Sequence, residues 1–419
     1  MLWWIVSALL ALWILTYPVA DVIFHHAQWG AFHANEDQRQ VALTFDDGPA
    51  EDTVAILTEL HRLNIKATFF MVAERASEHP EWVTLVVSGG HEIGLHGYRH
   101  RSAYLNTPWG TMADIAQGVA KLRDLSGQPI QWYRPPWGHH NLWTWWACRR
   151  LRLKRVLWTV APDDWRAAHS KEKISKHVVK AALPGGVVVL HDGGGDRTRT
   201  RLALPLIAAG LRRIGIEPVP MEALAFEASW LKTGWRWWET RFQVAWDLDP
   251  VPSQGSMVPI FRLGKIRFRG SRLALSSVVL DHGDWFGELH FDNSELSRFS
   301  DDTRHVLKAY QAIRQSLVDL ASFVGQSEKY QDVLAFGGVT VLNAGKAIER
   351  LGFVRVPVVG WRRLSMRLYL IWLMAMYHRQ GWRSIKRYRH LSPVLLVIDR
   401  QTLIQRYPSD GTSPTRVPS

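Results

Sequence analysis

Two adjacent carboxylates, Asp46 and Asp47, end the apolar, β-prone run Val41-Ala42-Leu43-Thr44-Phe45 and are followed at once by a Gly48-Pro49 turn. This puts two acids at the C-terminal mouth of a buried strand, where α/β folds keep their chemistry. Neighbouring strand residues point to opposite sides, so the pair suits two jobs, one acid for a metal and the other for a proton. His96 and His100 follow a second strand-like run, Glu92–Leu95. Four residues apart, they can meet on one side of a helical turn or tight loop. With a carboxylate from Asp46 or Asp47 they make a three-ligand site for a divalent metal, leaving positions open to water and substrate. Arg134 opens the rigid segment Arg134-Pro135-Pro136-Trp137-Gly138. A guanidinium there can pair bidentately with a carboxylate and hold it ionised. Pro162-Asp163-Asp164-Trp165 adds a carboxylate beside a large aromatic wall, and the apolar run Val187–Leu190 delivers His191 to the same rim.

These residues need a scaffold that brings strand ends together. Strand-like runs fall at Val41–Phe45, Lys66–Val72, Glu92–Leu95, Gln131–Tyr133, Arg155–Val160, Val187–Leu190 and Glu217–Pro220. Helix-like stretches lie between them at Thr53–Leu63, Pro80–Ser88, Asp114–Leu125, Lys171–Leu183 and Arg199–Ile214. Repeated β-then-α order implies a parallel sheet with right-handed crossovers. The expectation is an α/β fold, a distorted (β/α) barrel of about seven units, followed by a smaller α+β domain and preceded by a transmembrane helix. The corresponding boundaries are 1–24 for the anchor or signal, 38–224 for the catalytic domain, 225–407 for the second domain and 408–419 for a Pro/Ser/Thr-rich disordered tail.

Five blocks then appear in order: TFDDGP at 44–49, HGYRH at 96–100, RPPWG at 134–138, PDDW at 162–165 and LHD at 190–192, with GHEIG at 90–94 ahead of the second. Over about residues 40–222 the chain resembles the NodB-type polysaccharide deacetylases, carbohydrate esterase family four. The resemblance implies Asp47, His96 and His100 as metal ligands and Asp46 as general base, held by Arg134. It implies His191 as general acid, oriented by Asp164, and Trp165 and Leu190 as walls for the acetyl methyl. A backbone N–H near Trp137 is implied as oxyanion donor. The implied activity is metal-dependent hydrolysis of the N-acetyl amide of amino sugars in an envelope polysaccharide. Zinc is the expected metal for two nitrogens and one oxygen, with cobalt or nickel as alternatives. Other functions to weigh are a deacylase or deformylase acting on a lipid-linked sugar, and a non-catalytic glycan-binding protein. Two positions depart from the family pattern. Gly97 stands where Ser or Thr is usual, which is expected to loosen the metal loop, and Ala161-Pro162 stand where Asp-Ser is usual.

Composition frames the rest. The chain has 419 residues, 47% apolar and 21% charged, enough for two domains with a real core. One cysteine, Cys148, excludes a disulfide framework and a cysteine-built zinc site. The net charge of +13 is spread along the chain. A basic protein can meet nucleic acid, anionic lipid or anionic cell-wall polymer, and no nucleic-acid motif is present. The expected partners are therefore a carbohydrate substrate and a membrane. Leu2 to Ala20 carries no charge and is long enough to span a bilayer. It reads as an uncleaved anchor rather than a cleaved signal peptide, since no Lys or Arg precedes it. The expected location is the cytoplasmic membrane, single-pass, with the catalytic domain on the extracytoplasmic side. In the second half, 255–300 reads as a few strands, and Asp301–Ser322 and Arg362–Tyr388 as helices. His282, Asp284, His290 and Asp292 read as surface strand residues without a partner cluster. Residues 351–398 hold nine Lys or Arg and no acid, around the apolar segment Leu368–Tyr377. That pattern fits either a face on anionic lipid or polymer, or a buried helix with solvated flanks. Residues 225–419 also resemble the uncharacterised C-terminal domain appended to some bacterial membrane deacetylases.

Overall fold

The computed structural model describes residues 2–22, 33–34, 39–224, 226–227, 240–252, 261–291, 303–340, 346–360, 363–369 and 392–408. The chain divides into two units, residues 1–212 with 216–244, and 213–215 with 245–419.

The first unit is built on β1, Gln40–Asp46, whose Val41, Ala42, Leu43 and Phe45 are all buried. A strand apolar on both faces belongs in the middle of a parallel sheet covered by helices. β2 (Thr68–Met71), β3 (Glu92–Leu95), β4 (Trp132–Tyr133) and β5 (Lys154–Arg155) extend the sheet on one side and β6 (Val187–His191) on the other. The order is β5-β4-β3-β2-β1-β6, and every pairing is parallel. β7 (Glu217–Val219) pairs with the N-terminal end of β1. The result is a parallel half-barrel. The expected strand over 155–160 is reduced to Lys154–Arg155 and one bridge from Val160 to Val188, beside which Thr159 and Val160 hydrogen-bond to Val187.

Helices α2 (Glu51–Arg62), α3 (Ala73–Glu78), α4 (Pro80–Ser88), α5 (Pro108–Ser126), α6 (Leu142–Arg150), α7 (Lys171–Ala181) and α8 (Thr198–Arg213) fill the connections. α2 is amphipathic, burying Ile56, Leu57 and Leu60 against the sheet. α5 starts six residues before the expected Asp114, because Thr107 Oγ1 accepts the Gly110 N–H and Pro108 takes the first helical position. α6 was not expected from the sequence. It is set by Asn141, whose Oδ1 accepts the Thr144 N–H at 2.8 Å.

The N-terminal expectation needs correction. α1 covers only Leu2–Ile14 and passes into a π-turn at Leu15–Val19, with Pro18 inside it. Thirteen residues rise about 20 Å, short of the roughly 30 Å of bilayer hydrocarbon. Among the described residues no helix is long and apolar enough to cross a membrane. The end of this segment is tied to its own unit: Tyr17 Oη donates to the Asn106 carbonyl at 2.7 Å, and Asp21 Oδ1 accepts the His140 N–H at 2.6 Å.

The second unit is a mixed α+β fold. Its sheet contains β8 (Asp249–Pro250), β9 (Phe261–Arg267), β10 (Trp285–Phe291), β11 (Ala335–Thr340), β12 (Val354–Pro357) and β13 (Val394–Asp399), in the order β8-β9-β10-β11-β13-β12. Only β10 and β11 are parallel, and α9 (Thr303–Gln326) makes the crossover between them. Leu317, Leu320, Ala321 and Val324 of α9 pack in one core with Phe261, Leu289 and Phe336 of the sheet. His290 Nε2 lies 3.1 Å from its own strand's Glu288. Asp292, the segment Leu368–Tyr377 beyond Tyr369 and the tail 409–419 lie outside the described residues.

Candidate active site

The parallel strands deliver their C-terminal ends to one rim, as open and closed α/β sheets do at their binding crevices. Asp46 ends β1, His96 follows β3, Arg134 follows β4, and His191 ends β6. Asp46 and His191 are register partners across β1 and β6.

Asp47 leaves the strand. Its φ of +74° turns the carboxylate away from the line of β1 and toward the loop after β3. There Asp47 Oδ1 lies 3.3 Å from His96 Nε2 and 3.0 Å from His100 Nε2. Among the described residues these three form the one group of possible metal donors, all within 4.8 Å of one another. A tetrahedral zinc with bonds near 2.0–2.1 Å separates its donor atoms by roughly 3.3 Å, so the spacing fits such an ion. The tautomer fits as well. His96 Nδ1 faces the Arg134 carbonyl at 2.8 Å and must donate to it, which leaves the Nε2 lone pair aimed at Asp47. Burial alone would raise the Asp47 pKa, but when the rings are protonated, hydrogen bonds and charge from His100 and His96 outweigh it and hold the carboxyl well below its ordinary range.

Asp46 is buried and makes an ion pair with the fully buried Arg134, Nη1 to Oδ1 at 2.7 Å. The pair is not bidentate as the sequence suggests: Nη1 alone meets Asp46, and its other hydrogen goes to Thr44 Oγ1 at 2.7 Å. The guanidinium carbon lies over Phe70, 4.1 Å from the ring centroid, a cation–π contact. Asp164 does for His191 what Arg134 does for Asp46. Asp164 Oδ1 accepts from His191 Nδ1 at 2.7 Å, while Oδ2 accepts the His191 backbone N–H at 2.9 Å and the Thr200 hydroxyl at 2.8 Å. Nε2 of His191 is thereby left for the cleft. Burial would push the imidazole pKa down, yet the Asp164 hydrogen bond and charge, with Asp46 and Asp47 beyond, carry it above its ordinary value.

Two exposed tryptophans flank these groups. Trp137, at φ +54°, places its ring 4.2 Å from the His100 centroid, and Trp165 meets His191 edge-on at 5.0 Å. Leu190 is fully buried behind them.

Four supporting residues were given no role of their own by the sequence reading. Asp114 of α5 accepts the backbone N–H of Tyr98 at 3.0 Å and of Arg99 at 3.1 Å, so it ties the loop that Gly97 was expected to loosen. Gly97 sits at φ +85°, where a Cβ would meet the Arg99 carbonyl at 2.9 Å. A hydroxyl side chain has no comfortable place there. Asp192 accepts the Gly48 N–H and the Thr53 hydroxyl, and burial raises its pKa to about 7. Arg75 donates to the Asp47 carbonyl. Gly193 passes so close that a Cβ would lie 2.4 Å from that carbonyl. Asp114 is a single acid inside a helix and Arg75 a single base, so no local pattern marked them. Asp192 and Gly193 directly follow His191 and were legible only as part of that block.

Residues 33–156 match the polysaccharide deacetylase family model, and residues 228–407 match the YkoP domain. One peptidoglycan-N-acetylglucosamine deacetylase of Bacillus cereus is 35% identical over 191 residues, 45% of this chain and 89% of that protein. A second from the same organism is 33% identical over 198 residues, 46% of this chain and 71% of that protein. A solved peptidoglycan N-acetylglucosamine deacetylase, in complex with 4-naphthalen-1-yl-N-oxidanyl-benzamide, is 31% identical, covering 47% of this chain and 94% of its own, with a TM-score of 0.45. The chain belongs to the polysaccharide deacetylase family and carries a C-terminal YkoP domain.

Proposed function

We propose that the protein hydrolyses the N-acetyl amide of N-acetylglucosamine units in an envelope glycan, with peptidoglycan as the first candidate. The observation that carries the reading is the convergence of Asp47, His96 and His100 beside two separately held proton-transfer groups, Asp46 on Arg134 and His191 on Asp164. Asp47, His96 and His100 would hold the metal, and zinc suits two imidazoles and a carboxylate. When bound, such an ion lowers the pKa of water and polarises a carbonyl.

The chain's own residues account for the proton traffic. Asp46 takes a proton from the attacking water, whose oxygen adds to the acetyl carbonyl carbon. Arg134 and Thr44 keep the carboxylate aimed during that transfer. The Trp137 N–H donates to the carbonyl oxygen as charge builds on it. Trp165 and Leu190 wall the acetyl methyl. Protonated His191 gives its Nε2 proton to the departing amine as the C–N bond breaks, leaving acetate and a free amino sugar. Arg for the base and Asp for the acid set the two protonation states apart.

The enzyme is proposed to work on the extracytoplasmic side of the cytoplasmic membrane, where an envelope glycan lies. Incubating the full chain with purified peptidoglycan and with soluble N-acetylglucosamine oligomers tests the reaction. Mass spectrometry should show loss of acetyl groups and enzymatic assay should show equimolar acetate. Binding of either glycan without acetate release would reduce the protein to a glycan-binding module.

A further inference from the structure

We infer that the rim of the deacetylase unit beside Trp137, made by the 103–105 turn and the N-terminal ends of α5 and α6, docks on the surface of a lipid bilayer. The surface concerned is the catalytic unit's own face.

Leu105 and Trp109 are 72% and 80% exposed, far more than large apolar residues normally are. Leu142 and Trp146 lie one turn apart on α6, so they share a face. Both are exposed, while Thr144, Ala147 and Cys148 point inward. The two pairs belong to one surface, since Asn141 Nδ2 donates to the Ala103 carbonyl at 2.9 Å and to Thr111 Oγ1 at 3.2 Å, stapling the start of α6 to the start of α5. The N-terminal segment joins the same place. Tyr17 bonds the carbonyl of Asn106, next to Leu105, and Asp21 bonds the N–H of His140, two residues before Leu142. Trp13 stacks on Tyr17 at 5.9 Å. Trp3, Val6, Leu10 and Trp13, spaced three and four apart along α1, are exposed in turn.

Charge selects the occupant. Residues 125–162 contain no acid, and of their bases Arg149, Arg150 and Arg152 are exposed. Arg149 and Arg150 are exposed at the end of α6, beyond Trp146. Tryptophan and leucine tips next to arginines match an interface with anionic headgroups above acyl chains. A glycan uses aromatic faces with polar neighbours, and gains nothing from Leu105, Leu142 or an uncharged helix. Trp137 connects this rim to the metal ligand His100, so docking would set the metal side of the cleft beside the bilayer, within reach of glycan nearest the membrane.

The test uses the full chain with Leu105→Cys or Trp146→Cys, labelled with an environment-sensitive fluorophore. Native Cys148 is buried and its thiol pKa is pushed up to about 12, so labelling goes to the introduced site. Lys173→Cys, on the exposed side of α7, is the control. With vesicles of phosphatidylglycerol and phosphatidylcholine, labels at 105 and 146 should shift to the blue and be quenched by spin-labelled lipid, and the label at 173 should do neither. Reversing Arg149 and Arg150 to Glu should weaken binding to the anionic vesicles about tenfold or more. Vesicles that pellet the protein while both rim labels stay water-exposed would overturn the inference. So would a shift produced by N-acetylglucosamine oligomers and not by vesicles. Acetate release from a soluble oligomer, measured on the same variants, keeps this result separate from the deacetylase reading.

Discussion

At the residue scale, the account rests on two carboxylates one bond apart with opposite duties. Asp46 stays in line with β1 and meets Arg134, whereas Asp47 turns through a positive φ to the histidines. Asp46→Asn should therefore lower kcat by roughly 10²–10⁴-fold, the usual worth of a positioned base. Metal content should stay at the wild-type level, and full activity in that variant would remove Asp46 from the base role. The pH profile tests the acid. Asp164 holds the His191 pKa up, so the proton needed by the leaving amine is present below that raised value and is lost above it. Asp164→Asn should pull the alkaline limb of kcat/KM to lower pH as well as reduce its height. An unmoved limb would mean another group titrates there. The five motif blocks made these residues legible, because four of them fall at strand ends and the fourth block, 162–165, follows the Val160 bridge. Their geometry was not legible. A sequence shows that an arginine follows β4, but not that Nη1 alone meets Asp46 while also donating to Thr44.

Elements carry the next level of explanation. The loop 96–100 is ordered from α5 through Asp114, so Asp114→Ala should weaken metal binding about 10–100-fold, as loss of outer support for metal ligands does. Calorimetric titration with zinc would measure it, and unchanged affinity would show the loop holds itself. The β2–β3 junction makes a different prediction. His91 is buried, its Nδ1 accepts the Ala67 N–H at 3.2 Å, and burial with the Lys66 charge lowers its pKa from 6.5 to about 4. Above about pH 6.5 the imidazole is neutral folded or unfolded. As pH falls toward 4 the unfolded chain gains a proton the folded chain refuses, so stability drops by up to about 3 kcal/mol. His91→Asn keeps an acceptor near the Ala67 N–H and should flatten that part of the urea-midpoint profile between pH 7 and 4.5. Strands β1, β3 and β6 were legible because their buried runs are unbroken. Helix α6 was not, because Leu142-Trp143-Thr144-Trp145-Trp146 shows no polar contrast around the helix. Its one signal was Asn141 ahead of Thr144.

For the whole molecule, the sequence announced two units, and the alternation of strands and helices up to residue 224 specified the parallel sheet of the first. The mixed sheet of the second was visible only as a few strands and one long helix, because antiparallel order depends on distant pairings such as β11 with β13. Asp21 shows the limit of linear reading. It looks like an interruption in an apolar span, yet folding buries it as the acceptor for His140 beside the cleft. The central claim is that turnover depends on a metal held by Asp47, His96 and His100. Acetate release from N-acetylglucosamine oligomers, followed on one sample before chelation, after chelation and after zinc is returned, tests it most directly. The account predicts full loss on stripping and recovery with about one zinc per chain. Turnover that persists in the metal-free protein would contradict it.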